Sequence, residues 1–165
     1  MVKGIFDYTK TQLFWLVTLR VLIGWHFLYE GLVKLVNPNW SSVGFLLDSE
    51  GIFKGIFHSL ADDPGILNAT DFLNIWGLIA IGVSLILGFF SRWATIAGIV
   101  LLSFYYLSHP PFVGLIYDMP MEGSYLVVNR ILIELVALIV LMLFPTSKQV
   151  GLDRFIFKIN YGRPE

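Results

Sequence analysis

Between Leu13 and Val36 the chain reads LFWLVTLRVLIGWHFLYEGLVKLV, a run of 24 residues long enough and apolar enough to cross a bilayer. The same run carries Arg20, His26, Glu30 and Lys34. At ~100° per residue, with Arg20 at zero, His26 falls at ~240°, Glu30 at ~280° and Lys34 at ~320°, so the four share an arc of ~120°. His26–Glu30 and Glu30–Lys34 are also i,i+4 neighbours that can touch. Ionisable groups scattered around such a helix would face lipid at a cost of a few kcal/mol each or more. Gathered on one face, they turn toward a protein interior, and the helix requires partners presenting polar groups at matching depths.

The rest of the chain fits that demand. Of 165 residues, 56% are hydrophobic and 14% charged, and the mean hydropathy is +0.75. A soluble domain would carry about 25% charged residues. The expected class is an all-α polytopic membrane protein, a single domain over 1–165. There is no cysteine, which removes thiol chemistry and thiolate metal sites carried by the chain itself. No basic patch suggests nucleic acid. The segment before the first span lacks a small-residue cleavage site, so the first span is expected to be retained.

Four spans are expected. The first, 13–36, ends at Asn37-Pro38. The loop 39–70 carries Phe45, Leu46, Ile52, Phe53, Ile56, Phe57 and Leu60 at three- and four-residue intervals, a pattern for short interfacial helices. Asp62-Asp63-Pro64-Gly65 reads as a turn. Span two is placed at 71–90 with Asp71 as its cap, and Gly77, Gly82, Ser84 and Gly88 as small residues for close packing. After the Ser91-Arg92 turn, span three covers 93–108 with Ala94, Ala97 and Gly98 on its small face. Span four, 124–144, contains Asn129, Arg130 and Glu134 and is closed by Pro145. The tail 145–165 is expected along the membrane surface. Lys3, Lys10, Arg92, Lys148, Arg154, Lys158 and Arg163 lie on one side of this layout, and the two long loops hold only Lys54. The positive-inside rule then puts both termini in the cytoplasm.

Depth matching pairs the first and last spans. Arg130 and Glu30 each lie about six residues, ~9 Å, from the outer ends of their helices, which predicts a Glu30–Arg130 ion pair. Glu134 lies a turn deeper, in reach of Arg130 and, from below, of Arg20; Asn129 can hydrogen-bond at the same level. Two arrangements satisfy this inventory: an ion-pair network that pins helices together, or an outward-opening polar cavity for a ligand. His26 alone reads as a hydrogen-bonded core histidine, and no metal site is expected. The tryptophans read as interfacial anchors or packing.

Three stretches carry a likeness to a known family. Arg20, Leu22, Gly24, Phe27, Gly31, Lys34 and Leu35 form R-x-L-x-G-x-x-F-x-x-x-G-x-x-K-L; Gly82 to Arg92 reads G-x-x-L-I-L-G-F-F-S-R; and Gly151-Leu152-Asp153 follows span four. Together they resemble the DoxX family of four-helix membrane proteins, including the DoxD-like small subunit of thiosulfate:quinone oxidoreductase. Related chains often place an acidic residue and a Gly-Gly pair where this one has Asn74, Trp76 and Gly77. The long first loop and the HPPF segment look closer to the DoxD-like branch. The resemblance implies a four-helix transmembrane bundle in a prokaryotic inner membrane, working in quinone-linked oxidation of a sulfur compound beside a second redox subunit or a soluble oxidoreductase. On an enzymatic reading, Arg20, Lys34 and Arg130 attract a small anion, Asn129 and His109 complete the ligand site, and His26, Glu30 and Glu134 carry protons for quinone reduction. His109 otherwise caps span three. The alternatives are a membrane scaffold for a redox or envelope partner and a small transporter, which would need a homo-oligomer.

Overall fold

The computed structural model describes residues 8–119 and 126–156, and these residues are all-helical: α1 (Lys10–Val36), α2 (Val43–Leu47), α3 (Lys54–Asp62), α4 (Pro64–Leu87), α5 (Ser91–Ser108), α6 (Arg130–Leu143) and α7 (Asp153–Ile156). The expected start of span four at 124, Lys3 in the N-terminal arm and the tail from 157 lie outside the described residues.

Helix boundaries follow local chemistry. Thr9 and Gln12 form a capping box that opens α1: Gln12 N donates to Thr9 Oγ1 at 3.2 Å and Thr9 N to Gln12 Oε1 at 2.9 Å. α1 ends before Asn37-Pro38, as expected. α4 begins at Pro64 rather than 71. The Asp63-Pro64 pair is a helix start, with Pro at the first helical position and Asp63 Oδ1 accepting from Gly65 N at 2.7 Å and Ile66 N at 3.1 Å. Asp71 is therefore not a cap. It sits inside α4 and accepts from the backbone N–H (2.8 Å) and the hydroxyl of Ser42, tying the first loop to that helix. The short helices α2 and α3 fall within that loop. α6 begins at Arg130, capped by Asn129, whose Oδ1 accepts from Leu132 N at 2.9 Å; residues 126–129 before it are not helical.

α1 packs on α4, α4 on α5, α5 on α6, and α6 returns more sparsely to α1. The α1–α4 contact is backbone-close. A Cβ placed on Gly82 would stand 2.5 Å from Leu28 N, and one on Gly31 2.7 Å from the Ile79 side chain. Gly77, by contrast, faces open space. Ile23, Phe27, Leu78, Ile81, Leu85, Ala94, Leu102, Leu138 and Leu141 form the core between the helices. Outside that core the surface is apolar: Phe14, Trp15, Leu22, Trp25, Phe72, Leu73, Trp93 and Ile133 are all more than half exposed. A water-soluble chain rarely presents so continuous an apolar surface. α1 and α4 are long and apolar enough to cross a membrane, with mean hydropathies of 1.3 and 1.8 over their most apolar stretches, of which only 28% and 22% is buried.

At the end where α1 and α5 begin, here the clasp end, the described part of the tail, residues 145–156, folds back onto the helices. Asp153 accepts from Phe90 N (2.7 Å) and Ser91 N (3.2 Å), capping α5 from outside the helix. Leu152 N and Asp153 N donate to Leu87 O and Gly88 O at 3.1 and 2.9 Å. Gly88 has φ +65, and a Cβ on it would lie 2.8 Å from Gly151 Cα, so the two glycines permit the approach.

Candidate functional site

Side chains at the opposite, cap end surround a cavity of about 810 Å³ whose lining includes His26, Glu30 and Lys34 of α1, Asn74 of α4, Tyr105 of α5, and Arg130 and Glu134 of α6, roofed by loop residues of both long connections. Its volume falls in the range of small-molecule sites. Asn129 and His109 also line it, so seven of the eight residues singled out in the sequence share one space.

Arg20 is the exception: it does not line this cavity. It is buried, and it donates from Nη1 to Thr146 Oγ1 at 3.0 Å and from Nη2 to Val150 O at 2.8 Å. The tail's return past α4 encloses it at the clasp end, six residues along α1 from His26, the nearest cavity-lining residue of that helix. It holds the tail turn in place and does not reach Glu134.

The deeper wall of the cavity is a histidine–carboxylate pair. His26 Nδ1 lies 2.9 Å from both Oε1 and Oε2 of Glu134, bridging α1 and α6. Glu134 is nearly enclosed, at 11% exposed, and His26 is 39% exposed and lines the cavity. The expected Glu30–Arg130 pair is not among the ion pairs of the described residues. Glu30 instead has Lys34 Nζ at 3.9 Å on its own helix. The depth argument treated span four as starting at 124. With α6 starting at Arg130, the carboxylate one turn in, Glu134, is what reaches α1, and it meets His26.

Lys34 is held on several sides. It donates to Asn74 Oδ1 at 3.1 Å, and its ammonium lies 5.2 Å from the Trp40 ring and 5.6 Å from the Tyr105 ring. Asn74 Nδ2 in turn donates to Tyr105 Oη at 2.6 Å. Asn74 and Tyr105 were not singled out as site residues. A polar amide in an apolar helix was the available signal for Asn74, and matching its depth to Lys34 would have found it.

The roof is aromatic. The fully buried ring of His109 lies between Phe45 (4.1 Å between centroids) and Tyr117 (4.9 Å), and Phe45 continues to Tyr105 at 5.5 Å. His109 Nδ1 contacts Ser108 Oγ at 2.9 Å, and Nε2 faces Asp48 Oδ2 at 3.4 Å. Asp48 accepts from Asp118 N (2.8 Å) and Met119 N (3.2 Å), fastening residues 110–119 across the cavity. Burial alone would raise the Asp48 carboxyl, but these two N–H groups and His109 carry it below the ordinary value. Burial lowers His109 despite the attraction of Asp48, so the ring is neutral at pH 7. Burial, with Glu50 and Asp48 nearby, pushes the Tyr117 phenol up to about 12; it stays protonated and donates to Pro110 O at 2.8 Å. No signal in the sequence marked Asp48, whose partners are backbone groups seventy residues away.

Among the described residues no group of three or more His, Asp or Glu side chains is placed to hold a metal ion. Comparison with curated proteins and with solved structures finds no match. A family model, DoxX, matches residues 15–110. That span holds the stripe Arg20, Gly24, Phe27, Gly31 and Lys34, whose members respectively grip the tail, approach α4, fill the core, approach α4 again and line the cavity; it also holds the Gly82–Arg92 turn and stops short of α6. On this match over more than half its length, carried by residues whose spacing the fold explains, the chain belongs to the DoxX family.

Proposed function

We propose that this membrane protein is a four-span inner-membrane subunit of quinone-linked redox metabolism, with quinone as acceptor for electrons from a small sulfur compound such as thiosulfate. The observation that carries the reading is the His26–Glu134 pair on the wall of a largely apolar cavity between the helices and their long connections. Intramembrane ionisable groups facing a protein interior are costly and mark function. Lys10, Arg92, Lys148 and Arg154 gather at the clasp end, which supports cytoplasmic termini and a periplasmic cap in a prokaryotic inner membrane.

The residues present fit a quinone headgroup: flat apolar walls from Phe27, Phe45, Leu78 and Leu102, with N–H donors from His26, Lys34 and Arg130 for carbonyl oxygens. When bound, a quinone supplies two-electron chemistry coupled to two protons. His26 Nδ1 and Glu134 form a hydrogen-bonded pair on the wall through which a proton can pass, Glu30 offers a second carboxylate nearer the cap, and Lys34, fixed by Asn74 and two rings, presents its side-chain nitrogen to the cavity. Asn129 sets the start of α6, and so the height at which Arg130 and Glu134 enter the cavity.

The test is binding. Protein in lipid nanodiscs, titrated with a short-chain quinone and followed by tryptophan fluorescence (Trp40 lines the cavity), gives saturable quenching that Glu134→Gln weakens. Titrations with no saturable component end the quinone reading. The scaffold alternative is favoured by one observation: Ile52, Val113 and Ile116 stand almost bare on the cap, an apolar surface available to a partner. Co-purification of a stoichiometric redox protein that persists in Glu30→Gln and Glu134→Gln would support it.

A further inference from the structure

We propose that the cavity fills from the bilayer and not from water: residues 110–119 close its cap-end mouth under an Asp48 latch, its open side is the α1–α6 seam, and its ligand is a lipid-borne amphiphile with a hydrogen-bond-accepting headgroup. The inference deepens the preceding reading and rests on it for the identity of the site.

The walls decide the route. Between α1 and α4 the backbones touch through Gly24, Gly31 and Gly82, leaving no gap a ligand could use. Between α4 and α5, Asn74 Nδ2 donates to Tyr105 Oη at 2.6 Å and Ile81 packs 3.6 Å from a Cβ placed on Gly98; between α5 and α6, Leu138 covers the same glycine, with 3.0 Å from its Cδ1 to that Cβ. The floor is Phe27, Leu78 and Leu102, each at most 5% exposed. The roof is the ring series Tyr105–Phe45–His109–Tyr117. Asp48 binds this roof with both carboxylate oxygens, one to each of two successive N–H groups of the strap. Such charge-assisted bonds are roughly twice as strong as neutral ones.

The remaining wall is different. α1 and α6 meet sparsely, and the contact across them is polar, His26 with Glu134. A headgroup arriving there meets His26, Glu30 and Arg130, while an apolar tail stays between Leu22 and Ile133, both of which are exposed. A water-soluble anion would instead have to displace the latched roof.

The chain has no cysteine, so Leu102→Cys, on the α5 wall of the cavity, is a single reporter. In nanodiscs, both faces of the protein are wet. N-phenylmaleimide, which partitions into lipid, modifies this thiol; a sulfonated maleimide does not. Adding Asp48→Ala raises the rate of the sulfonated reagent by ~tenfold or more, the worth of a charge-assisted hydrogen bond, and leaves the apolar reagent unchanged. Asp48→Asn, which keeps one acceptor, gives a smaller rise and guards against a variant that fails to fold, monitored by thermal melting. The proposal is overturned if the sulfonated reagent enters with Asp48 intact, if neither reagent reaches the thiol, or if folded Asp48 variants admit no more of it. The labelling uses no quinone: a closed roof with failed quinone titrations removes the ligand assignment, and an open roof with successful ones removes only the route.

Discussion

The two ends of α1 treat the same kind of residue in opposite ways. At the clasp end Arg20 is 3% exposed and spends its terminal nitrogens on the hydroxyl of Thr146 and the carbonyl of Val150. At the cap end His26 and Glu30 are 39% and 45% exposed and face other ionisable groups across a cavity. The four charges share an arc in sequence, yet the tail's fold-back turns the first into a fastener and leaves the others on a wall. What separates structural from functional candidates is the partner: uncharged hydrogen-bond acceptors at one end, titratable side chains with open space at the other.

The sharpest test of that contrast is Arg20→Ala. It removes one buried and one partly buried hydrogen bond to the tail turn and leaves their acceptors unmet, at a cost of about 2–4 kcal/mol. Thermal melting in detergent should show a large loss, while quinone binding per folded molecule stays at the level of the unaltered protein. Binding lost with the melting temperature intact would place Arg20 back in the site. Asp153→Ala, which uncaps α5 at Phe90 N and Ser91 N, should resemble it with a smaller loss of about 1–2 kcal/mol.

Glu134→Gln is the mirror image. It replaces a nearly enclosed carboxylate with an amide of the same shape, relieving desolvation as it weakens the bond to His26. Quinone affinity should fall about tenfold, ~1.4 kcal/mol, with melting unchanged or raised. A protein that unfolds instead would make the pair a helix fastener, and the two ends of α1 would then be alike.

How much of this was legible follows from the same residues. The spacing of Arg20, Gly24, Phe27, Gly31 and Lys34 announced a buried face, because a helix has a fixed period. Chain-distant pairings were not announced. Nothing in Gly151-Leu152-Asp153 says that it will cap a helix starting at Ser91, and nothing in Asp48 points to the N–H of Asp118. Pro64 was read as a turn breaker although a proline after aspartate is equally a helix's first residue. The α6 start moved six residues for a related reason: Asn129 can read as a buried polar side chain or as a cap, and only the cap fixes which carboxylate faces His26.

Within the cap end, Asn74→Ala tests whether Lys34 is held or free to move. It removes the acceptor of the Lys34 ammonium and the donor to Tyr105, but the Trp40 and Tyr105 rings and Glu30 remain. The expected cost is about 1 kcal/mol in stability, with less effect on binding than Glu134→Gln. Equal losses from both variants would make the Lys34 side of the cavity as important as the His26 side.

The mildest perturbation removes no atoms: lowering the pH should loosen the roof before the clasp. Both roof groups, Asp48 and His109, have folded-state values below their ordinary ones of 3.8 and 6.5. The unfolded or unlatched chain therefore binds protons more readily, and stability rises with pH across both ranges. The His109 contribution is complete above 6.5 and is lost as pH falls through its lowered value. The Asp48 contribution follows only at still lower pH, below 3.8. Protonating His109 introduces a charge into a fully buried ring stack that Asp48, at 3.4 Å, only partly offsets; protonating Asp48 weakens its hold on Asp118 N and Met119 N. Labelling of Leu102→Cys by the sulfonated maleimide, corrected for the reagent's own pH dependence, should thus increase between pH 7 and pH 5, with His109→Gln flattening the earlier part of the rise. The clasp, built on Arg20 with Thr146, Val150 and Asp153, contains no histidine among its described residues. A melting transition that shifts with pH while labelling does not would move the pH response away from the roof and make the two ends of the molecule equivalent in this respect.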